Sequence, residues 1–144
     1  MCQARIRESS QEKGTAVDWG SAIFAGIIGT VVMTVLMYMG RAMGMPMDMP
    51  LMLGLMVRDD ESTGTYVAGG MIHLMMGAAF GLVYAGLFEL LDVNSTWGWG
   101  ALFGAVHGVI AGFAFGMMPA FHPRMGAGKA LAAPGLFGVR YGAM

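Results

Sequence analysis

Short polar stretches in this chain alternate with three long apolar ones. The first, WGSAIFAGIIGTVVMTVLMYM at about 19–39, contains no charged residue, and Asp18 stands where it can cap the opening turn. The second, YVAGGMIHLMMGAAFGLVYAGLFELL at about 66–91, has a single acid, Glu89, near its far end. The third, WGWGALFGAVHGVIAGFAFGMM at about 97–118, has none. About 20 residues rising about 1.5 Å each cross a hydrocarbon layer about 30 Å thick, so each stretch predicts a spanning helix. The expected fold is all-α: a polytopic membrane protein, a bundle of three transmembrane helices with a short interfacial segment.

The flanks complete this division. Residues 1–17 form a polar tail of mixed charge, 18–118 the transmembrane domain, and 119–144 a tail rich in glycine and alanine, too broken to cross a bilayer. Within the connection at 40–65, Pro46 and Pro50 interrupt helix and favour extended chain. The apolar run Leu51 to Val57 that follows is too short to span, which makes it interfacial or re-entrant, and Asp59, Asp60 and Glu61 bring the chain back to water. The brief DVNST link makes spans two and three an antiparallel hairpin. Its Asn94-Ser95-Thr96 fits a glycosylation sequon, although Ser95 or Thr96 as a helix cap explains it with less.

Composition strengthens the membrane assignment: 56% of the 144 residues are hydrophobic and only 12% charged, too few to cover a water-facing surface. Lipid is the expected surrounding. The net charge of −1 and the lack of a basic run exclude nucleic acid as a partner. The lone Cys2 has no second thiol with which to make a disulfide or a CxxC site. No Ser/His/Asp order, carboxylate pair or phosphate loop is present, and no span carries an acid, lysine or arginine near its centre, so the chain is not expected to be an enzyme.

Glycine gives the spans their relief. Gly100, Gly104, Gly108, Gly112 and Gly116 repeat every four residues and therefore share one helix face. Span two offers the row Gly69, His73, Gly77, Gly81 and Ala85, and span one offers Ala22, Gly26, Thr30 and Thr34. Lipid supplies no hydrophobic drive between helices, so close contact over such small-residue faces is what holds a bundle together. Gly26, Gly77, Gly81 and the span-three ladder are thus expected packing positions, within the chain or against other membrane subunits or a second copy.

Methionine and histidine are placed unevenly. With helices alternating in direction, all 17 methionines except the two terminal ones fall in the half holding the first connection, while Trp19, Trp97 and Trp99 fall at the opposite boundary. There the indoles suit an interfacial belt. Thioether and imidazole donors favour a soft ion such as Cu(I). Met43, Met45, Met47 and Met49 would align on one side of an extended segment, with His73, His107 and His122 as further candidate ligands. A haem between His73 and His107 is a third reading. Against these stands a plain one, in which His73 or His107 bonds a backbone carbonyl or a span-one threonine and pins the bundle, with methionine filling irregular gaps.

The order GIIGTVVMTVLM, a Met/Pro connection, GGMIHLMMGAAFGLVYAGLF and GALFGAVHGVIAGFAFGMMP resembles a group of small bacterial integral membrane proteins with repeated glycine-rich spans. The likeness covers residues 20–120, and the group has no established activity to carry over. It implies a multi-pass protein of the bacterial inner membrane, commonly with a fourth span. The functional expectation is a non-enzymatic accessory or scaffold subunit of a larger membrane assembly, with Cu(I) binding or transfer as the alternative.

Overall fold

A computed structural model describes residues 17–44, 48–94 and 96–125. The described chain is four α-helices: α1 (Trp19–Ala42), α2 (Met49–Gly54), α3 (Thr63–Leu90) and α4 (Trp97–Phe121). Three of them, α1, α3 and α4, are long and apolar enough to cross a membrane, with mean hydropathies of 2.1, 1.7 and 1.7. Nearly all of their side chains face outward, including Phe24, Ile28, Leu36, Val83, Ile110 and Phe113. In water such exposure would be untenable, whereas lipid is as apolar as these side chains and solvates them. The chain is that of a multi-pass membrane protein.

Local chemistry sets the helix ends. Asp18 caps α1, its Oδ1 accepting the N–H groups of Gly20 at 3.1 Å and Ser21 at 3.2 Å while Ser21 Oγ donates to Oδ2 at 2.6 Å. At the other end Gly44 takes φ +96°, a left-handed conformation that glycine adopts without strain, and the helix stops there. Asp48 then opens α2, accepting the Leu51 N–H at 3.1 Å, and Pro50 occupies the first turn, where its missing N–H costs nothing. Pro50 therefore starts a helix, where the sequence pattern suggested extended chain.

The other ends differ from the hydropathy pattern by a turn or less. Thr65, fully buried, donates its hydroxyl to the Asp60 carbonyl at 2.5 Å and draws the start of α3 back to Thr63. Pro119 lies inside α4 instead of ending it, because the break it makes falls in the last turn before the His122 cap. Thr96 occupies the N-cap position of α4 without a side-chain capping bond. Ser95 is outside the described residues.

Helices α1 and α3 run antiparallel and meet at backbone distance. A Cβ added to Gly77 would stand 2.8 Å from Thr30 Cβ, one on Gly26 2.9 Å from the Gly77 carbonyl carbon, and one on Gly81 3.1 Å from Gly26 Cα. Real Cβ atoms essentially never come so close, so glycine is what permits this crossing. About two turns before Gly77 on the same row, a Cβ on Gly69 would lie 2.6 Å from Gly54 N, and this is where α2 packs on α3. The most buried cluster in the described residues is here: Leu51, Met52, Leu53 and Leu55, with His122 bonded to the Met52 carbonyl and Met125 buried as well.

Helix α4 is attached differently. It leans on α3 through aromatic rings: Phe80 meets His107 edge-on with centroids 4.6 Å apart, Phe88 meets Phe103 at 5.2 Å, and Tyr84 stacks on Phe103 at 6.2 Å. This register makes α3 and α4 antiparallel, as the short link requires. Beyond the helix, Arg124 ion-pairs with Asp59 and ties the chain to the first connection.

Candidate functional site

Ring-mediated packing holds α4 away from the α1–α3 pair, and the gap is a cleft of about 1390 Å³. Its walls are glycine and alanine from all three spans together with Phe80, Tyr84, Phe88 and Phe115. Its tryptophan-side mouth is polar, with Asp18, Ser21, Glu89, Asp92 and Asn94. The Ser21 hydroxyl, bonded to Asp18, holds that carboxyl below its ordinary pKa, so the mouth carries a firm negative charge. The opposite, deep end is different in kind: Met33, Met49, His73 and Met76 line it. A smaller groove of about 500 Å³ branches between α1 and α4, bordered by Gly29, Met33, Gly104, Gly108 and Gly112.

His73 is the unusual group. It is 8% exposed, and neither Nδ1 nor Nε2 has a hydrogen-bond partner among the described residues. An unsatisfied buried polar group costs about 1–3 kcal/mol, and in native proteins such groups ask for an explanation. The threonines of α1 do not satisfy it. Thr30 Oγ1 donates to the Gly26 carbonyl and Thr34 Oγ1 to the Thr30 carbonyl, both at 2.8 Å, so both hydroxyl protons are spent within their own helix. Pinning of the bundle by a bond from His73 to a threonine or carbonyl is therefore not what the structure contains.

The other two histidines lie elsewhere. His107 packs against Phe80 and also sits 5.9 Å from Tyr84. Phe80 is seven residues past His73, which separates the two imidazoles by about 10 Å along the bundle. A haem ligated by both would need the rings to face each other across one iron, and they stand at different levels. His122, 3% exposed, uses both nitrogens: Nδ1 accepts the Arg124 N–H at 3.1 Å, which leaves Nε2–H to donate to the Met52 carbonyl at 2.8 Å. Its task in this arrangement is to fasten the C-terminal end of α4 to α2.

Of the four alternating methionines, Met45 and Met47 lie outside the described residues. Met43 is 86% exposed at the end of α1, whereas Met49 enters α2 and is buried against α3. Met49 is thus part of a helix and faces the cleft, not one side of an extended row. Met33 and Met76 were legible only as members of the methionine-rich half; the signal that would have singled out Met76 is its position three residues after His73, on the same face. Among the described residues no three His, Cys, Asp or Glu side chains converge as a metal site.

The expected packing glycines divide into two groups. Gly26, Gly77 and Gly81 are brought together at the α1–α3 crossing. Along α4, a Cβ on Gly100, Gly104 or Gly108 would meet nothing within 4 Å. Gly112 is buried beside the smaller groove and Gly116 is exposed. Comparison with known protein families, with curated proteins and with solved structures finds no match.

Proposed function

We propose that this chain is a non-enzymatic accessory subunit of a bacterial inner-membrane assembly, and that a helix of another membrane chain packs on the glycine face of α4. The contrast between its two sets of glycines carries this reading. At the α1–α3 crossing every small residue is used, because a side chain would collide with the facing backbone. On α4 the same four-residue repeat has no atom within 4 Å of an added Cβ at Gly100, Gly104 or Gly108, the last two bordering the groove that separates α4 from Gly29 and Met33 of α1. Glycine costs about 1 kcal/mol relative to alanine within a helix, so three unused glycines in register are a standing cost unless something lies against them. A helix with its own small-residue face fits that space, and close van der Waals contact would hold it there without hydrophobic drive.

The test is the mass of the particle in mild detergent or in lipid nanodiscs. The wild-type chain should be recovered in particles containing more protein than one 15.2 kDa copy. A Gly104→Leu/Gly108→Leu variant should fall to the single-chain mass with its helix content intact. A wild-type chain that is stable, monodisperse and monomeric in both media refutes the proposal. Whether the added mass is a second copy or a different polypeptide follows from mass spectrometry of the same particle.

A further inference from the structure

We propose that the deep end of the cleft is a Cu(I) site formed by the His73 imidazole and the thioethers of Met33, Met49 and Met76. These four side chains line one end of one cleft, and they reach it from three different elements, α1, α2 and α3. The helix crossings fix their levels. Thr30 lies against Gly77, so Met33, three residues further along α1, stands level with His73, four residues back along antiparallel α3. Pro50 lies against Gly69, which puts its neighbour Met49 one turn from His73 on the other side. Met76 follows His73 by one turn on α3 itself. Each thioether is therefore within about one helical turn, roughly 5 Å, of the level of the imidazole.

His73 stands between the two tightest crossings of the molecule, in the row Gly69, His73, Gly77. A glycine on either side lets α2 and α1 close in and leaves the ring as the one polar group of that stretch, buried and with both nitrogens unpartnered. A metal ion accepts the lone pair of the unprotonated nitrogen, whichever tautomer is present, and so takes up one of the two orphaned atoms.

The donor set selects the ion. Thioether sulfur and neutral imidazole are soft, uncharged ligands and suit Cu(I), whereas Mg²⁺ and Ca²⁺ take carboxylate and carbonyl oxygen, and Zn²⁺ takes thiolate, imidazole or carboxylate. A single positive charge with neutral ligands is also the least costly cation to place in an apolar interior. Glu89, the one acid of α3, is sixteen residues from His73, about 24 Å along the helix, and Asp48, the acid beside Met49, is already paired with Arg41 and bonded by the Tyr66 hydroxyl, so a divalent ion would find no uncommitted carboxylate there.

The experiment uses the full chain in nanodiscs, loaded anaerobically with Cu(I) under ascorbate and titrated against a colorimetric Cu(I) chelator. One Cu(I) per chain is expected, with an X-ray absorption spectrum requiring both sulfur and nitrogen scatterers. The Met33→Leu/Met49→Leu/Met76→Leu variant should lose about 100-fold or more in affinity, as should His73→Phe. Leucine nearly conserves methionine volume and keeps the fold testable. Met43→Leu and His107→Gln should bind as wild type does. No stoichiometric Cu(I) on the wild type, a spectrum without sulfur, or equal affinity in the triple-leucine variant overturns the proposal. A Gly100→Leu variant, at a position of the same glycine face that does not border the groove lined by Met33, should lose assembly and still bind Cu(I) as a single chain, so loss of assembly and loss of metal are read separately.

Discussion

A methyl group added at Gly77 measures how closely the α1–α3 crossing is packed. The new Cβ would stand 2.8 Å from Thr30 Cβ and 2.9 Å from the Gly26 carbonyl oxygen, and would also collide with Thr30 Oγ1. Rotating the threonine away sacrifices its bond to the Gly26 carbonyl, worth about 1 kcal/mol. Moving the helices apart instead loosens Gly26 and Gly81 together. Overpacking of this kind costs about 1–3 kcal/mol. Against it stands the gain of about 1 kcal/mol that alanine brings over glycine within a helix. That gain is common to every Gly→Ala change, so the informative quantity is a difference. Gly29→Ala places its Cβ where nothing lies within 4 Å and should show the helix gain alone. Reversible unfolding in mixed dodecylmaltoside and dodecyl sulfate micelles should therefore find Gly77→Ala about 1–3 kcal/mol less stable than Gly29→Ala. Equal stability of the two, or the reverse order, would refute the close crossing.

Three further outcomes test other parts of the molecule. Replacing His122 by leucine leaves the buried Met52 carbonyl and the Arg124 N–H without their partner, which should cost about 1–3 kcal/mol and expose the 49–58 segment to limited proteolysis. Asp48 caps α2, pairs with Arg41 and accepts the Tyr66 hydroxyl at 3.2 Å. Asp48→Ala should lower stability by about 0.5–2 kcal/mol from the cap alone, read as a shift of the thermal transition in detergent, and Asp48→Asn should recover most of it. Asp18, held below the ordinary aspartate pKa of about 3.9 by the Ser21 hydroxyl and the backbone of Ser21, stabilises the start of α1 fully above that value. Its contribution is lost as pH falls through the lower, folded pKa, so the Gly20 and Ser21 amide resonances should shift at a lower pH than an ordinary aspartate titrates, and Ser21→Ala should move that transition upward.

What could be read from the sequence was whatever depends on one helix at a time. Uncharged stretches of more than 20 residues name the spans because the bilayer judges each by its own length and polarity. The glycine rows were legible as faces for the same reason, since a four-residue spacing fixes a face irrespective of neighbours. What lies against a face depends on a second helix. Nothing in the ladder from Gly100 to Gly116 distinguishes it from the row through Gly77 and Gly81, yet the latter meets a facing backbone while Gly100, Gly104 and Gly108 meet nothing within 4 Å. The apolar run from Leu51 to Val57 was recognisable as too short to span, but not that Asp48 would cap it and turn Pro50 into a helix opener. His73 and His107 both looked central, and only the Phe80 contact shows that they occupy different levels.

The row on α3 also explains why the cleft exists. A helix face about 20 residues long can be covered by one straight neighbour or shared by two, and here Gly69 takes α2 while Gly77 and Gly81 take α1. With that face filled, α4 must approach α3 from the side, where bulky Phe80, Tyr84 and Phe88 project and hold it off. Such ring contacts contribute about 0.5–1.5 kcal/mol each beyond area burial, enough to set a position but less than a glycine-on-glycine crossing backed by interhelical van der Waals contact over several turns. The width of the cleft is therefore the softest dimension of the fold. Removing Phe80 and Phe103 together with alanine should let α4 swing without unfolding the α1–α3 pair. Spin labels at Gly29 and Gly108 would report this as a broadened distance distribution, while labels at Ile23 and Val83 on the tight pair would keep a narrow one. If both distributions broadened together, the α1–α3 pair would itself depend on the α4 rings, and if neither did, the cleft could not be a product of ring contacts alone.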